Sequence, residues 1–164
     1  MALAVAVVSL ATTAAHATAA HVPACATRDL VVWLDTNGDA AAGSVHYELQ
    51  LTNLSGHPCA LRGYPGVSAV DLAGHQLGTP ALRNRRDAVR TISLAPGRSA
   101  SAALQIANTD VYPAKRCRST MAAGLRVYPP NQTASKVAPY PFRACSRPGP
   151  AYLQVTAVTT ERRP

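Results

Sequence analysis

The stretch VHYELQLTNLSGHPCALRGYPGV runs from Val45 to Val67. Its first part alternates, with Val45, Tyr47, Leu49 and Leu51 on one side and His46, Glu48, Gln50 and Thr52 on the other. Successive strand residues point to opposite faces, so period two with one polar face marks a half-buried strand of an antiparallel sheet. Asn53-Leu54-Ser55-Gly56 reads as a turn, Cys59-Ala60-Leu61 as a short strand, and Gly63-Tyr64-Pro65-Gly66 as a second turn. Strand, turn, strand and turn in quick succession leave no room for a helix and point to an all-β fold.

The same rhythm continues outward. Residues 28–34, 67–72, 88–94, 99–107, 125–128 and 152–158 each carry a short apolar or alternating run. Residues 137–142 read as extended but contain Pro139 and Pro141, which lack the N–H a central strand needs, so this segment belongs at a sheet edge. Asn37-Gly38, between the first two strands, predicts a tight hairpin turn. Residues 77–90 are the least regular part. Eight or nine short strands and no amphipathic helix predict a two-sheet antiparallel β-sandwich, immunoglobulin-like in general plan. Aromatics are only 5% of the chain, so Val, Leu and Ala must fill the core.

The first twenty residues are apolar, small and uncharged, with small-x-small patterns at Ala15-His16-Ala17 and Ala17-Thr18-Ala19. Residues 1–20 therefore read as a cleaved signal peptide, 21–158 as one domain and 159–164 as a short tail. No other segment approaches the length of a transmembrane helix. The expected location is extracellular, with lipid anchoring at the cell surface through Cys25 as the alternative. Cys25, Cys59, Cys117 and Cys145 all follow the signal, and four cysteines in an exported chain read as two disulfides. Three pairings exist. Cys25–Cys59 with Cys117–Cys145 joins sequence-local segments, and each link would contribute about 3–4 kcal/mol in the chain-entropy view. Zinc sites use closely spaced cysteines, and no two here are nearer than 28 positions.

Catalytic patterns fail one by one. His57 and Cys59 share a strand face, yet a thiol–imidazole site needs a free thiolate, and pairing removes it. Asp35-Thr36-Asn37-Gly38-Asp39 opens like a calcium loop, but Ala40 stands where glycine is needed and His46 where the bidentate glutamate belongs. Gly66-Val67-Ser68-Ala69-Val70 lacks the second glycine of a nucleophile elbow. No cofactor and no metal are expected. The net charge of +8 comes from 14 Arg and 2 Lys against 8 acidic residues. Such a protein meets anionic surfaces, and the dense cluster Arg83, Arg85, Arg86 and Arg90 is the candidate contact with an anionic cell-envelope polymer or a protein partner. Nucleic acid is not expected, because few aromatics are present to stack on bases. The chain reads as a monomer.

One combination is more specific. Asn53 before the first turn, Cys59-Ala60-Leu61, Gly63-Tyr64-Pro65-Gly66-Val67, ISLAPGRSASAAL from Ile92, Cys117, LRVYPPNQ from Leu125 and Cys145 follow in order. This resembles the domain-of-unknown-function family 4232, found in exported proteins and lipoproteins of actinobacteria. The resemblance implies a secreted or surface-attached β-sandwich and gives Asn53, Gly63, Tyr64, Pro65 and Gly66 a structural role. It implies no activity. Lipoprotein members carry a further cysteine upstream, so the likeness favours release. The expected role is a non-catalytic binding module at the cell envelope or in the extracellular space. The alternatives are an enzyme inhibitor presenting a Pro/Arg-rich loop, at 82–89 or 139–148, and a hydrolase with an unrecognised site.

Overall fold

The computed structural model describes residues 22–160. The expected signal peptide, at 1–20, lies outside the described residues, and so does the tail beyond Thr160. The strands in chain order are β1 (Leu30–Ala41), β2 (Ser44–Asn53), β3 (Cys59–Arg62), β4 (Gly66–Val70), β5 (Gln76–Leu77) and β6 (Leu82–Arg83). Then follow β7 (Thr91–Leu94), β8 (Ser99–Ala107), β9 (Ser119–Tyr128), β10 (Lys136–Cys145) and β11 (Leu153–Val155). Single 3-10 turns occur at Thr27–Asp29 and Thr109–Val111, and the described residues contain no α-helix.

The all-β expectation holds, but the strands form three sheets, not two. Their orders are β1-β2-β8-β11-β6, β10-β9-β4-β5 and β3-β7. The small third sheet has a physical cause. The outer edge of β3 is taken by the N-terminal segment, where Cys25 N donates to Ala60 O (2.9 Å) and Ala60 N to Pro23 O (2.7 Å). The Cys25–Cys59 disulfide locks that pairing. The fold is not wholly antiparallel either, since β11 and β6 pair in parallel.

Alternation in β2 does what period two requires. Leu49 and Leu51 are fully buried and meet Leu104 and Ala100 of β8 in one core. That core draws on all three sheets, with Val67, Leu125 and Val127 from the four-stranded sheet and Leu61 and Leu94 from β3 and β7. Burying each of these leucines stabilises by about 2 kcal/mol relative to exposure. Ala69, Ala100, Ala102, Ala138 and Ala144 have no accessible surface, so small side chains let the elements approach where aromatics are lacking. One departure from the pattern is Gln50, on the polar side of β2. It is buried and exchanges hydrogen bonds with Ser101 Oγ on β8 (3.1 and 3.3 Å).

The expected hairpin at Asn37-Gly38 is not where the chain turns. β1 runs on to Ala41 and reverses at Ala42–Gly43. The register passes from Asp35 opposite Glu48 to Asp39 opposite His46, so Thr36, Asn37 and Gly38 face Tyr47 alone. Asp35 Oδ1 accepts from Asn37 N (3.2 Å) and Asn37 Nδ2 (3.0 Å), which closes a local kink inside the strand. Gly38 serves close approach rather than a turn. A Cβ there would collide with the ring of Tyr47 and the carbonyl of His46.

β10 is an edge strand, as its prolines require. Tyr140 and Pro141 together face Ala123, a two-for-one irregularity between Pro139 and Phe142. At the other end, Thr159 exchanges both backbone hydrogen bonds with Ser101 (2.8 Å each), so the chain stays paired past Val158.

Candidate functional site

The stretch from Asn53 to Gly66 is a structural knot. Asn53 is fully buried and every polar atom of its side chain is used. Nδ2 donates to His57 O and to Leu94 O (3.0 Å each), and Oδ1 accepts from Ser55 N (2.9 Å) and Ser55 Oγ (2.7 Å). Its backbone is bonded too, since Asn53 N donates to Arg98 O and Gly97 N to Asn53 O. Asn53 thus ties the end of β2 to the turn beyond it, to β7 and to the β7–β8 turn. Cys59 is in its disulfide, and the His57 imidazole is exposed with Nδ1 near Ser55 Oγ and Pro58 O. No thiol is left for the imidazole to activate. Gly63 turns the chain at φ +108°, and its carbonyl accepts from Val158 N (2.9 Å). Pro65 is buried, and Gly66 stands opposite Tyr128.

The second disulfide joins Cys117 to Cys145. With Cys25–Cys59 it gives the pairing that sequence locality favours, and the described residues hold no free cysteine. They hold no group of three or more His, Cys, Asp or Glu placed to bind a metal.

The arginines of the dense run have different local partners. Arg83 lies in β6 with its guanidinium over the Tyr64 ring, 5.7 Å from the centroid. Arg86 lines a groove on the outer face of the five-stranded sheet, of about 620 Å3, together with Asp39, His46, Glu48, Gln105 and Gln154. Arg85 and Arg90 are exposed. Of the two candidate inhibitory loops, Leu82–Arg83 is strand β6 and Pro139 to Cys145 lies within β10.

The fold brings together a second cationic group. Lys115, Arg116 and Arg118 come from the turn around Cys117, and Arg143 and Arg147 flank Cys145. The Cys117–Cys145 bond fuses the two segments. Arg147 N donates to Cys117 O (3.3 Å), its guanidinium reaches Lys115 O (3.4 Å), and Ser146 N and Oγ both bond Arg118 O (3.1 and 2.9 Å). Arg118 sits at φ +48°, a left-handed conformation that a non-glycine residue adopts at a cost of about 1–2 kcal/mol. All five cations are exposed, and Arg143 Nε lies 3.4 Å from Asp110 Oδ1.

A further cleft, of about 530 Å3, opens between the sheets at the Ala42–Gly43 end. Tyr47 and Tyr140 meet there edge to face, with centroids 5.2 Å apart and hydroxyls at 2.5 Å. Burial first, and then the Tyr47 hydrogen bond, push the Tyr140 hydroxyl up to about 12. Burial also raises Tyr152, whose hydroxyl donates to Leu77 O (2.9 Å). Both folded values exceed the unfolded value near 10. The stability tied to these groups is therefore complete below about pH 10 and is lost as pH rises through about 12. Alkaline titration at 295 nm should show two of the six tyrosines ionising late; six tyrosines titrating together near pH 10 would contradict this.

Among the described residues, the groove, the cationic corner and the cleft each offer space or charge for a ligand. No curated protein and no solved structure matches the chain. The model of one family, described as "Domain of unknown function (DUF4232)", matches residues 25–159, from the first disulfide cysteine to the last residue paired with β8. The chain therefore belongs to the DUF4232 family.

Proposed function

We propose that this chain is a secreted, non-catalytic binding module with the general plan of an immunoglobulin-like sandwich, and that it docks on anionic polymer of the cell envelope. Two disulfides suit an oxidising exterior, and no helix among the described residues is long and apolar enough to cross a membrane. The cationic corner around Cys117–Cys145 is the observation that carries the reading. Five exposed cations on a framework stapled by a disulfide present a positive field. Arg guanidinium groups match phosphate and carboxylate oxygens in two-pronged geometry.

Retention on immobilised poly(glycerol phosphate) tests this. The wild-type protein should bind in low salt and elute well before about 1 M NaCl, where the screening length falls to about 3 Å. The triple variant Lys115→Ala, Arg116→Ala, Arg147→Ala should bind about tenfold more weakly, a loss of about 1.4 kcal/mol. A variant lacking Arg83, Arg85, Arg86 and Arg90 should lose less, because Arg83 is engaged with the Tyr64 ring and Arg86 lines a groove that also holds Asp39 and Glu48. Equal binding by the triple variant and wild type would sink the reading. Loss confined to the Arg83–Arg90 variant would move the docking surface there.

A further inference from the structure

The cleft between the sheets has a chemistry of its own. Val45, Tyr47, Ile106, Tyr140, Phe142 and Arg143 line it. Two strand irregularities frame it, Thr36–Gly38 opposite Tyr47 and Tyr140–Pro141 opposite Ala123. Such irregularities re-aim side chains beside ligand sites. The wall they build is rigid. Tyr140 stacks on Phe142 with centroids 6.0 Å apart and leans edge-on against Tyr47. Pro139 and Pro141, on either side of Tyr140, fix the backbone φ. A preformed apolar wall loses little freedom when a ligand arrives.

The polar groups lie at the rim. Arg143 pairs with Asp110, and both side chains are more than half exposed. Exposed pairs of this kind are weak, so Arg143 can exchange Asp110 for the anion of a ligand. Lys115, Arg116, Arg118 and Arg147 stand beyond it and bias the local potential the same way. The size, about 530 Å3, falls in the range of small-ligand sites. An apolar pocket with a cationic rim fits one kind of molecule. We propose that the cleft binds a single-chain anionic amphiphile, with its hydrocarbon tail between Val45, Ile106 and Phe142 and its head on Arg143.

The test uses dodecanoate, titrated calorimetrically into the intact protein below its micelle concentration. Saturable one-to-one binding is expected. Val45→Trp fills the cleft from a half-buried position and should weaken binding at least tenfold with an unchanged thermal midpoint. Should it lower that midpoint, Ala41→Phe fills the same cleft from an exposed position. Arg143→Gln should weaken dodecanoate about tenfold and leave dodecanol unaffected. Dodecylammonium, the same tail with the opposite charge, should bind at least tenfold more weakly than dodecanoate. Absence of saturable binding, full binding by the cleft-filling variant, or equal binding of dodecylammonium would overturn the proposal. Neither Val45 nor Arg143 is changed in the polymer-retention variants, so the two readings can fail separately.

Discussion

Replacing Asn53 by leucine lowers the unfolding free energy by about 3–4 kcal/mol, the largest loss expected from any single substitution outside the apolar core. The buried carbonyl of Leu94 and the amide of the half-buried Ser55 lose the partners that Asn53 supplies. A buried polar group left unsatisfied costs about 1–3 kcal/mol, so two of them set the scale. Asn53→Asp should be nearly as harmful, because a carboxylate cannot donate to His57 O or Leu94 O. Urea denaturation at neutral pH measures both. A loss under about 1 kcal/mol, the size of an ordinary surface change, would show that the turn rearranges to satisfy itself.

Removing the disulfides has the second large effect. The bonded cysteines are 34 and 28 positions apart. Loop-closure entropy gives about 3.8 and 3.6 kcal/mol for loops of these lengths. Together they match a large part of the roughly 5–15 kcal/mol that holds a typical domain folded. Full reduction should therefore leave the protein largely unfolded at 37 °C by circular dichroism. The paired variants separate structure from docking. Cys25→Ala with Cys59→Ala should lower stability yet keep polymer retention at a temperature where the variant is folded. Cys117→Ala with Cys145→Ala should lower both, because that bond holds the two cationic segments together. Retention that survives loss of Cys117–Cys145 would show that the corner needs no staple.

Much of this fold can be read from local pattern. Leu49 and Leu51 announce β2 by period two, Pro139 and Pro141 announce an edge strand, and sequence locality points to the cysteine pairing. What escapes is what depends on a distant neighbour. Asn37-Gly38 carries a strong turn signal, yet the kink it makes is set by the Tyr47 ring across the strand pair. The first half of β9, from Ser119 to Gly124, shows no clean alternation. The irregularity opposite Ala123 shifts the buried set from Val127 and Leu125 to Ala122. β5 and β6 are two residues each, too short for any periodicity to show.

The binding surfaces follow the same rule. The arginines at 83–90 are conspicuous in one dimension, and the fold gives them different partners, with Arg83 on Tyr64 and Arg86 in a mixed-charge groove. The cations at 115–118 and 143–147 are modest in sequence and gathered in the fold. A signal was present all the same. Arg116 and Arg118 flank one cysteine and Arg143 and Arg147 surround the other, so the Cys117–Cys145 pairing already implies that they meet. The aromatic cleft gives no such hint, because Tyr47 and Tyr140 are 93 positions apart and belong to different sheets.

The commitment of Asn53 bears on how the protein can be made. Asn53-Leu54-Ser55 has the form of an N-glycosylation acceptor, and so does Asn131-Gln132-Thr133. Asn131 is exposed and can carry a glycan after folding. Asn53 cannot, since a sugar on its amide nitrogen leaves one N–H for the two acceptors His57 O and Leu94 O and forces a glycan into the interior. In a eukaryotic secretory host, where glycans are added as the chain emerges, modification at Asn53 and folding are mutually exclusive outcomes. A bacterial periplasm, which oxidises the cysteines without recognising the acceptor, leaves Asn53 free to make its buried bonds.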